Sequence, residues 1–250
     1  MHTSIALWGH PRSISTAVER SFMARGDFRV FHEAFAYVYF MHEQRREVPH
    51  KEPNPSHPRS YEAVKAMMEG ARRESPVFHK DFAYHVIDHL LEDSSYLKGQ
   101  VHTFIIRDPD DAVLSHATIH PDLTRDVLGY VELARLFDAV ADMTGSAPVV
   151  LNASDLILDP FSTISAYCNS IGIPFLAEAL TWSCGDRSEW STWKRWHLDV
   201  ACSEGFSAPA RNYRFGFEEW PHLKAFADYC RPFYDHMNRF RLQIVKEAVQ

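Results

Sequence analysis

The stretch from Ile5 to Phe22, which reads IALWGHPRSISTAVERSF, constrains the fold of this chain more than any other. A short apolar run ends at Gly9, a tight polar loop follows, and a helical pattern then begins. A strand, a short loop and a helix form an anion-binding cradle, because the first helical turn offers unpaired backbone N–H groups and the positive end of the helix dipole. The stretch therefore predicts a phosphate site just after the first strand.

The side chains of this loop strengthen the prediction of an anion site. Three hydroxyl groups add hydrogen-bond donors, and Arg12 adds a fixed charge with a planar donor fork. The alternative is that Thr16 and Glu19 form a capping box, which would not explain an arginine inside the loop. The residues predicted to bind the anion here are Pro11, Arg12, Ser13, Ile14, Ser15 and Thr16.

The loop departs from the version that binds nucleoside triphosphates. That version needs a second glycine and a lysine just before the hydroxyl residue, and no Gly-Lys pair follows Gly9 here. The lysine that would reach the outer phosphates is missing, which argues against hydrolysis of ATP or GTP. The lysine–hydroxyl pair normally accompanies bound magnesium, so we also expect an activity that needs no divalent metal.

Composition excludes several classes of partner. A chain of 250 residues suits one α/β domain, 1–250, with a sizeable core. The net charge of −7 disfavours nucleic acid or an acidic membrane as the main partner. The four cysteines form no C-x-x-C pair and the 15 histidines form no metal-ligand motif, so we expect reduced cytoplasmic thiols and no bound metal. No apolar run approaches transmembrane length, and no signal peptide fits before the first strand.

The chain alternates apolar runs with helical patterns. This alternation predicts a single doubly wound parallel sheet of about five strands, flanked by helices and followed by a helical C-terminal part. In such sheets the ligand lies beyond the carboxyl ends of the strands. The residues expected to gather there with Arg12 of the first loop are Glu33, His79, Lys80 and Arg107. The strands are predicted near residues 5–8, 28–32, 76–81, 101–106 and 149–151.

The region from about 182 to 216 is irregular and rich in tryptophan. Four of the six tryptophans of the chain occur between Trp182 and Trp196. They are expected either to form a lid that stacks on an adenine or an acceptor, or to face the core from a helix. Both interpretations stay open at the level of the sequence.

Two motifs together resemble the sulfotransferases. They are HPRSISTA at 10–17 and FIIRDP at 104–109, which continues to Ser115. The resemblance, which is to the short bacterial type, implies a P-loop-NTPase-like fold and 3′-phosphoadenosine-5′-phosphosulfate (PAPS) as the donor substrate. It also implies that the first loop, with Arg12, holds the 5′-phosphosulfate, and that Arg107 and Ser115 hold the 3′-phosphate.

The chain departs from this family in two places. Ile14 stands where many members have glycine, and the late R-K-G motif is absent. Arg211 and Arg214 are the substitutes that the sequence offers for the second anchor of the 3′-phosphate.

Sulfuryl transfer also needs a general base. Arg12 and the helix N-terminus would stabilise the charge that develops on the leaving phosphate, and the acceptor must lose a proton. Glu33 is the first choice, since it follows the second strand and resembles a glutamate of the short bacterial sulfotransferases; His79 and His32 are the runners-up. A structural salt bridge or helix cap is the alternative role of Glu33. As a base it would have a pKa raised by the nearby phosphates.

Other functions remain open from the sequence. The fold could serve as a non-catalytic nucleotide-binding or protein-interaction module, or as a kinase with an altered loop. As a sulfotransferase, the chain is expected to modify a hydroxyl or amine of a small organic acceptor. A homodimer is left open.

Overall fold

The computed structural model describes residues 1–47, 51–206, 213 and 216–244, and five strands form one parallel sheet in this part of the chain. Their order across the sheet is β2-β3-β1-β4-β5, so β1 lies in the middle with β3 and β4 as its neighbours. The prediction of a single parallel sheet flanked by helices is confirmed. The strands are β1 (Ser4–Gly9), β2 (Arg29–His32), β3 (Val77–Phe82), β4 (Val101–Ile106) and β5 (Val149–Asn152).

Helices connect the strands and complete the chain. They are α1 (Ser15–Arg25), α2 (Tyr61–Glu74), α3 (Ile87–Glu92), α4 (Ser94–Lys98), α5 (Pro109–Ile119), α6 (Tyr130–Thr144), α7 (Ala153–Leu158), α8 (Pro160–Ser170), α9 (Leu198–Ala201) and α10 (Pro221–Asn238). A π-helical turn covers Val38–His42, and short 3-10 turns cover Ala83–His85, Arg125–Val127, Ala177–Leu180 and Ser188–Trp196. None of the helices in the described ranges is long and apolar enough to cross a membrane.

Each face of the sheet is covered by its own apolar core. Successive residues of a strand point to opposite faces, so Ala6 and Trp8 of β1 join the core beneath α5, α6 and α10. Ile5 and Leu7 of the same strand join the core beneath α1 and α8. Because both faces are buried, β1, β4 and β5 are largely apolar in sequence, which made them visible, whereas β3 carries His79, Lys80 and Asp81.

The order of the strands places a crevice beyond the carboxyl end of β1. From β1 the chain extends to β2 and β3 on one side of the sheet and to β4 and β5 on the other. Neighbouring connections leave the sheet in opposite directions at this point, and open α/β sheets bind their ligands there. The loop after Gly9 opens into this crevice.

The C-terminal helix α10 anchors the loop after β4. Its Arg231 donates from Nη1 to Asp108 Oδ2 at 2.7 Å and from Nη2 to Asp108 Oδ1 at 2.8 Å, a bidentate pair. Asp108 in turn caps α5, since its side chain accepts from the N–H of Asp110 at 2.9 Å. The helical C-terminal part therefore fixes the R-D-P turn that the sequence singled out.

Candidate active site

The loop between β1 and α1 holds two non-glycine residues in the left-handed region. Arg12 has φ of 66° and Ile14 has φ of 63°, and Ile14 is the residue that precedes the first turn of α1. This conformation costs a β-branched residue roughly 1–2 kcal/mol, which explains why glycine suits this position. No side chain caps the N-terminus of α1, and Glu19 points elsewhere, so the capping box is not formed. The N–H groups of the first turn are left for other acceptors.

His10 ties this loop to the turn after β4. Its ring stacks on Tyr130 with 3.9 Å between ring centroids, and it is fully buried. Nδ1 donates to the carbonyl of Pro11 at 3.0 Å, while Nε2 accepts from the backbone N–H of Arg107 at 3.0 Å. Burial lowers the pKa of His10 to about 3, so the ring is neutral and keeps the tautomer that both bonds require.

The two motifs of the sequence meet in space. Arg107 donates from Nη1 to the carbonyl oxygen of Arg12 at 3.0 Å, and Arg12 donates from Nε to Ser115 Oγ at 2.9 Å. Arg107 also donates from Nη2 to the hydroxyl of Tyr213 at 3.0 Å. Tyr213 could not be predicted from the sequence, because no spacing pattern marks a contact between residues 106 positions apart. Arg107 and Ser115 are both buried, so their polar groups converge in a region shielded from water.

Ser13 is the buried hydroxyl residue of this loop. Its side chain is fully buried, and its Oγ has no hydrogen-bond partner among the described residues. A β-carbon on Gly9 would lie 3.0 Å from this same oxygen, so the glycine allows the strand and the loop to approach closely. Ser13 is not among the residues that line the cavity, whereas Arg12, Ser15 and Thr16 are, so these three residues of the loop fit an anionic donor.

Glu33 lies directly after β2 and pairs with the ammonium of Lys80. It has φ of 42°, in the left-handed region, and only 7% of its surface is exposed. Burial works to raise the pKa of Glu33, but the charges of Lys80 and His32 outweigh it and hold the pKa well below its usual range. In the protein without ligand the buried lysine beside the carboxylate therefore lowers the pKa of Glu33, and the rise expected from bound phosphates stays a prediction. Glu33 forms a salt bridge, which was the alternative role predicted from the sequence, and it also lines the cavity.

Lys80 and His79 are consecutive residues of β3, so their side chains point to opposite faces of the sheet. Lys80 is fully buried and lines the cavity, and its Nζ lies 4.5 Å from the ring centroid of Phe82. His79 faces the other core, where Nε2 bonds to Gln100 Oε1 at 2.8 Å and the ring meets Trp8 edge to face. His79 is not among the described residues that line the cavity, so its assignment as a catalytic candidate was wrong. The reason is that a strand carries only every second side chain to a given face.

The crevice opens into a cavity of about 230 Å³. The first loop, Glu33 and Lys80 all line this cavity. Aromatic rings form much of the wall, and imidazole and guanidinium groups add polar positions. The aromatic residues are Phe40, Phe82, Tyr84, Trp193, Trp196 and Phe206, and the polar ones include Arg46, His85, His116, His120 and His197.

The tryptophans of this region divide between the core and the cavity, and stacking on an adenine or an acceptor stays a prediction. Trp190 is completely buried, and Trp182 is 8% exposed, in agreement with a core role. Trp193 and Trp196 line the cavity instead. Arg211 and Arg214 lie outside the described residues.

One cluster in the described part of the chain has the composition of a metal site. The ligand atoms of His32, Glu33 and His197 all lie within 4.8 Å of one another. The ammonium of Lys80, however, already pairs with Glu33. Burial, then His32 and Lys80, lower the pKa of His197 well below its usual value. The pair with Lys80 occupies a carboxylate oxygen that a cation would need, and the absence of a metal stays a prediction.

Comparison with solved structures supports this architecture. A sulfotransferase domain from the olefin synthase of Synechococcus PCC 7002 aligns with a TM-score of 0.53 at 15% identity, over 92% of this chain and 94% of that chain. A sulfotransferase from Alicyclobacillus acidocaldarius aligns with a TM-score of 0.54 at 12% identity, over 96% of each chain. At these identities the likeness shows the fold.

Comparison of sequences gives two plant relatives and a family. The "branched-chain-amino-acid aminotransferase-like protein 2" of Arabidopsis thaliana is 29% identical over 83% of this chain, and the corresponding protein 1 is 28% identical over 82%. The chain spans only 37% and 36% of the length of these relatives. The family model described as "Sulfotransferase domain" matches residues 3–237, which is nearly the whole sequence. With the two motifs meeting in the crevice, this match shows that the chain belongs to the sulfotransferase domain family.

Proposed function

We propose that this protein transfers a sulfuryl group from PAPS to a hydroxyl or amine of a small organic acceptor. The observation that carries the proposal is the contact of Arg12 with Arg107 and Ser115, since Arg12 and Arg107 both line the cavity. Two anion-binding elements that are 95 or more positions apart in the sequence meet at one crevice. A donor with a 5′-phosphosulfate and a separate 3′-phosphate needs two such elements.

The donor end of the crevice stabilises negative charge without a metal in this proposal. Arg12, Lys80 and the N-terminus of α1 bring fixed positive charge and backbone dipoles to the cavity. In a buried site these groups would interact strongly with the phosphate as the bond from sulfur to its bridging oxygen breaks. The sequence included Lys80 only among the residues at the sheet edge, and its burial supports a role in this stabilisation.

The lining of the cavity limits the chemistry of the second substrate. The aromatic residues that line the cavity favour an acceptor with a substantial apolar part. Glu33 lines the same cavity as Lys80 and the loop, and we assign to it the role of taking the proton of the acceptor. The ion pair with Lys80 keeps Glu33 ionised, which is the form that a base requires.

Binding of the desulfated donor tests the first half of the proposal. We expect 3′-phosphoadenosine-5′-phosphate (PAP) to raise the melting temperature more than ATP or AMP at equal concentration, because only PAP carries the 3′-phosphate. A larger shift with ATP would favour a kinase with an altered loop.

Turnover tests the second half. Sulfur-35-labelled PAPS is incubated with a panel of phenols, aliphatic alcohols and amines, and labelled product is separated by chromatography. We expect transfer to at least one class, with the same rate in EDTA as in magnesium. Binding of PAP without transfer to any class would favour a non-catalytic nucleotide-binding module.

A further inference from the structure

Two exposed thiols lie on either side of the tryptophan-rich turn that lines the cavity. Cys184 and Cys202 are both free and exposed, whereas Cys168 and Cys230 are buried. The proposed transfer of a sulfuryl group uses neither of the exposed thiols. No short motif joins them in the sequence, so their relation becomes visible only in the structure.

The chain segments that carry these thiols run antiparallel and pair with each other. Thr181 forms an antiparallel bridge with Gly205. The N–H of Trp182 donates to the carbonyl of Glu204 at 3.2 Å. Each step forward in the first segment is therefore matched by one step back in the second, as in an antiparallel ladder.

The same pairing is found on the far side of the cysteines. The N–H of Gly185 donates to the carbonyl of Ala201 at 2.8 Å. The paired residues before and after the cysteines follow one register, and this register sets Cys184 opposite Cys202. Side chains directly opposite each other in an antiparallel pair have Cβ atoms about 4.5–5.5 Å apart on the same face.

The thiol of Cys184 is directed toward the opposite segment. Its Sγ donates to the carbonyl oxygen of Ala201 at 3.3 Å. In a trans peptide this oxygen lies about 2.8 Å from the Cα of the next residue, which is Cys202. The sulfur of Cys184 therefore lies within roughly 6 Å of the Cα of Cys202. Rotation of the two short side chains can bridge such a spacing with a disulfide.

The segment between the two thiols forms part of the cavity wall. It contains the 3-10 turn at Ser188–Trp196 and helix α9. Trp193 and Trp196 of this turn line the cavity. A covalent bond between Cys184 and Cys202 would close the segment at its base and hold this part of the wall.

We propose that Cys184 and Cys202 form a reversible disulfide, with a low-molecular-weight disulfide such as oxidised glutathione as the oxidant. One cysteine thiolate attacks a sulfur of the oxidant, whose S–S bond breaks and releases one thiolate. The second cysteine thiolate then attacks the protein sulfur of this mixed disulfide and releases the other thiolate. Two protein thiols are thereby oxidised, and one molecule of oxidant is reduced to two thiols, which take up the two protons.

The buried cysteines provide an internal control for this reaction. Cys168 lies in α8 and Cys230 in α10, and both are shielded from solvent. Burial raises the pKa of the Cys168 thiol, and it raises that of Cys230 to about 12. The thiolate is the reactive form, so we expect neither residue to react while the protein is folded.

Mass spectrometry of the wild-type protein tests the proposal without any substitution. The folded protein is incubated with oxidised glutathione, its remaining thiols are alkylated in urea, and it is digested with trypsin without reduction. We expect the tryptic peptide that ends at Arg187 to be joined to the peptide that begins at Trp196. Fragmentation should locate the link at Cys184 and show Cys168 alkylated, and dithiothreitol should separate the two peptides.

Thermal unfolding with a matched variant tests whether the link holds the segment. Oxidation should raise the melting temperature of the wild type by about 5–10 °C, because a disulfide that closes this loop restricts the unfolded chain. Cys184→Ser replaces an exposed side chain by one of similar size. After the same treatment it should carry glutathione on Cys202, with no cross-link and no rise in melting temperature.

Several outcomes would overturn the proposal. They are glutathione on both exposed cysteines of the wild type without a link between them, a link between two protein molecules, or no reaction at either thiol. A link that leaves the melting temperature unchanged would show that the segment is not held by it. None of these measurements uses PAPS or an acceptor, so their result is independent of the proposed transfer of a sulfuryl group.

Discussion

At the scale of single residues, the candidate site consists of buried charges that depend on one another. Lys80 is fully buried and Glu33 nearly so, and each is the counter-charge of the other. Arg107 is 4% exposed and combines structural bonds with a predicted contact to the donor. Each substitution therefore needs a readout that separates binding or catalysis from stability.

Arg107→Ala should weaken binding of PAP by about 2–3 kcal/mol, because it removes a charge-assisted contact to the 3′-phosphate. Isothermal titration measures the affinities of the wild type and the variant for PAP and AMP, which lacks that phosphate. The affinity for AMP should change little. Equal losses for both nucleotides would show that Arg107 only supports the loop through its bond to the Arg12 carbonyl.

Glu33→Gln should lower kcat by roughly 10²–10⁴-fold, because the amide keeps the size of the side chain but cannot take a proton. The affinity for PAP should be nearly unchanged. Steady-state kinetics with saturating PAPS measure the loss. A variant with normal kcat would exclude Glu33 as the base, and a collapsed melting temperature would mark it as structural.

The pH dependence should follow the ion pair of Glu33. Lys80 lowers the pKa of Glu33, and a base must be ionised to act. We therefore expect protonation of Glu33 to reduce activity only at pH values below those at which carboxyl groups usually protonate. Lys80→Met removes the cation, leaves burial to raise the pKa, and should move this fall to higher pH. Profiles of kcat/KM against pH for both proteins provide the measurement. An unchanged acid limb in Lys80→Met would show that another group controls it.

At the scale of elements, the junction between β1 and α1 holds backbone strain at the anion site. Ile14 has φ of 63° and begins the helix without a side-chain cap. Strain of this kind persists where the surrounding structure fixes the chain, as the bonds of His10 and Arg107 do here. The N-terminus of α1 is thereby held in one orientation toward the crevice.

Ile14→Gly should be more stable than Ile14→Ala by about 1 kcal/mol. Both variants lose nearly the whole side chain, but only glycine relieves the strain of the left-handed conformation. At an ordinary helical position the order is reversed, with alanine favoured by about 0.5–1 kcal/mol. Urea unfolding of the two variants gives the difference directly. A more stable alanine variant would show that the loop is not held at positive φ.

At the scale of the whole molecule, neutral histidines are distributed through the core. Burial lowers the pKa of His10 and of His116 to about 3, and that of His102 to about 4. His10 belongs to the first loop, His116 to α5 and His102 to β4. Their contributions to the pH dependence of stability therefore arise in separate parts of the fold. Each must stay uncharged for the protein to stay folded.

The free energy of unfolding should fall as the pH drops below about 6.5, the pKa of an unfolded histidine. Between this value and the lower folded pKa the unfolded state binds more protons, so acid favours unfolding. One pH unit below 6.5, each of the three histidines should cost about 1.4 kcal/mol. Urea unfolding between about pH 7.5 and about pH 5.5 tests this, and His102→Gln should reduce the slope. A free energy that stays constant over this range would contradict the neutral state.

The fold was more predictable than the site, for a physical reason. Strands buried on both faces appear as apolar runs, and the alternation with helices leaves few topologies. The R-D-P turn and the first loop could be brought together because β1 and β4 are neighbours. His79 was misplaced, since position at a sheet edge does not tell which face a side chain takes.

Other parts of the site arise from packing that no local pattern encodes. Glu19 matched a capping box in the sequence, but its carboxylate lies between His32 and Trp190, which is 171 positions away. Lys80 was visible only as a charge at the end of a strand, and its burial beside Glu33 depends on how β2 pairs with β3. Contacts of this kind follow from tertiary structure and become readable only when the elements are assembled.

The cavity is lined by two kinds of structure. Junctions of strands and helices in the regular sheet contribute the first loop, Glu33 and Lys80, whereas the turns at 38–42 and 188–196 contribute Phe40, Trp193 and Trp196. Changes in these turns can therefore reshape the wall while the phosphate cradle keeps its register in the sheet. Relatives that share the donor loops can diverge in which molecules they modify, and grafting the two turns between them offers a route to exchange acceptor preference.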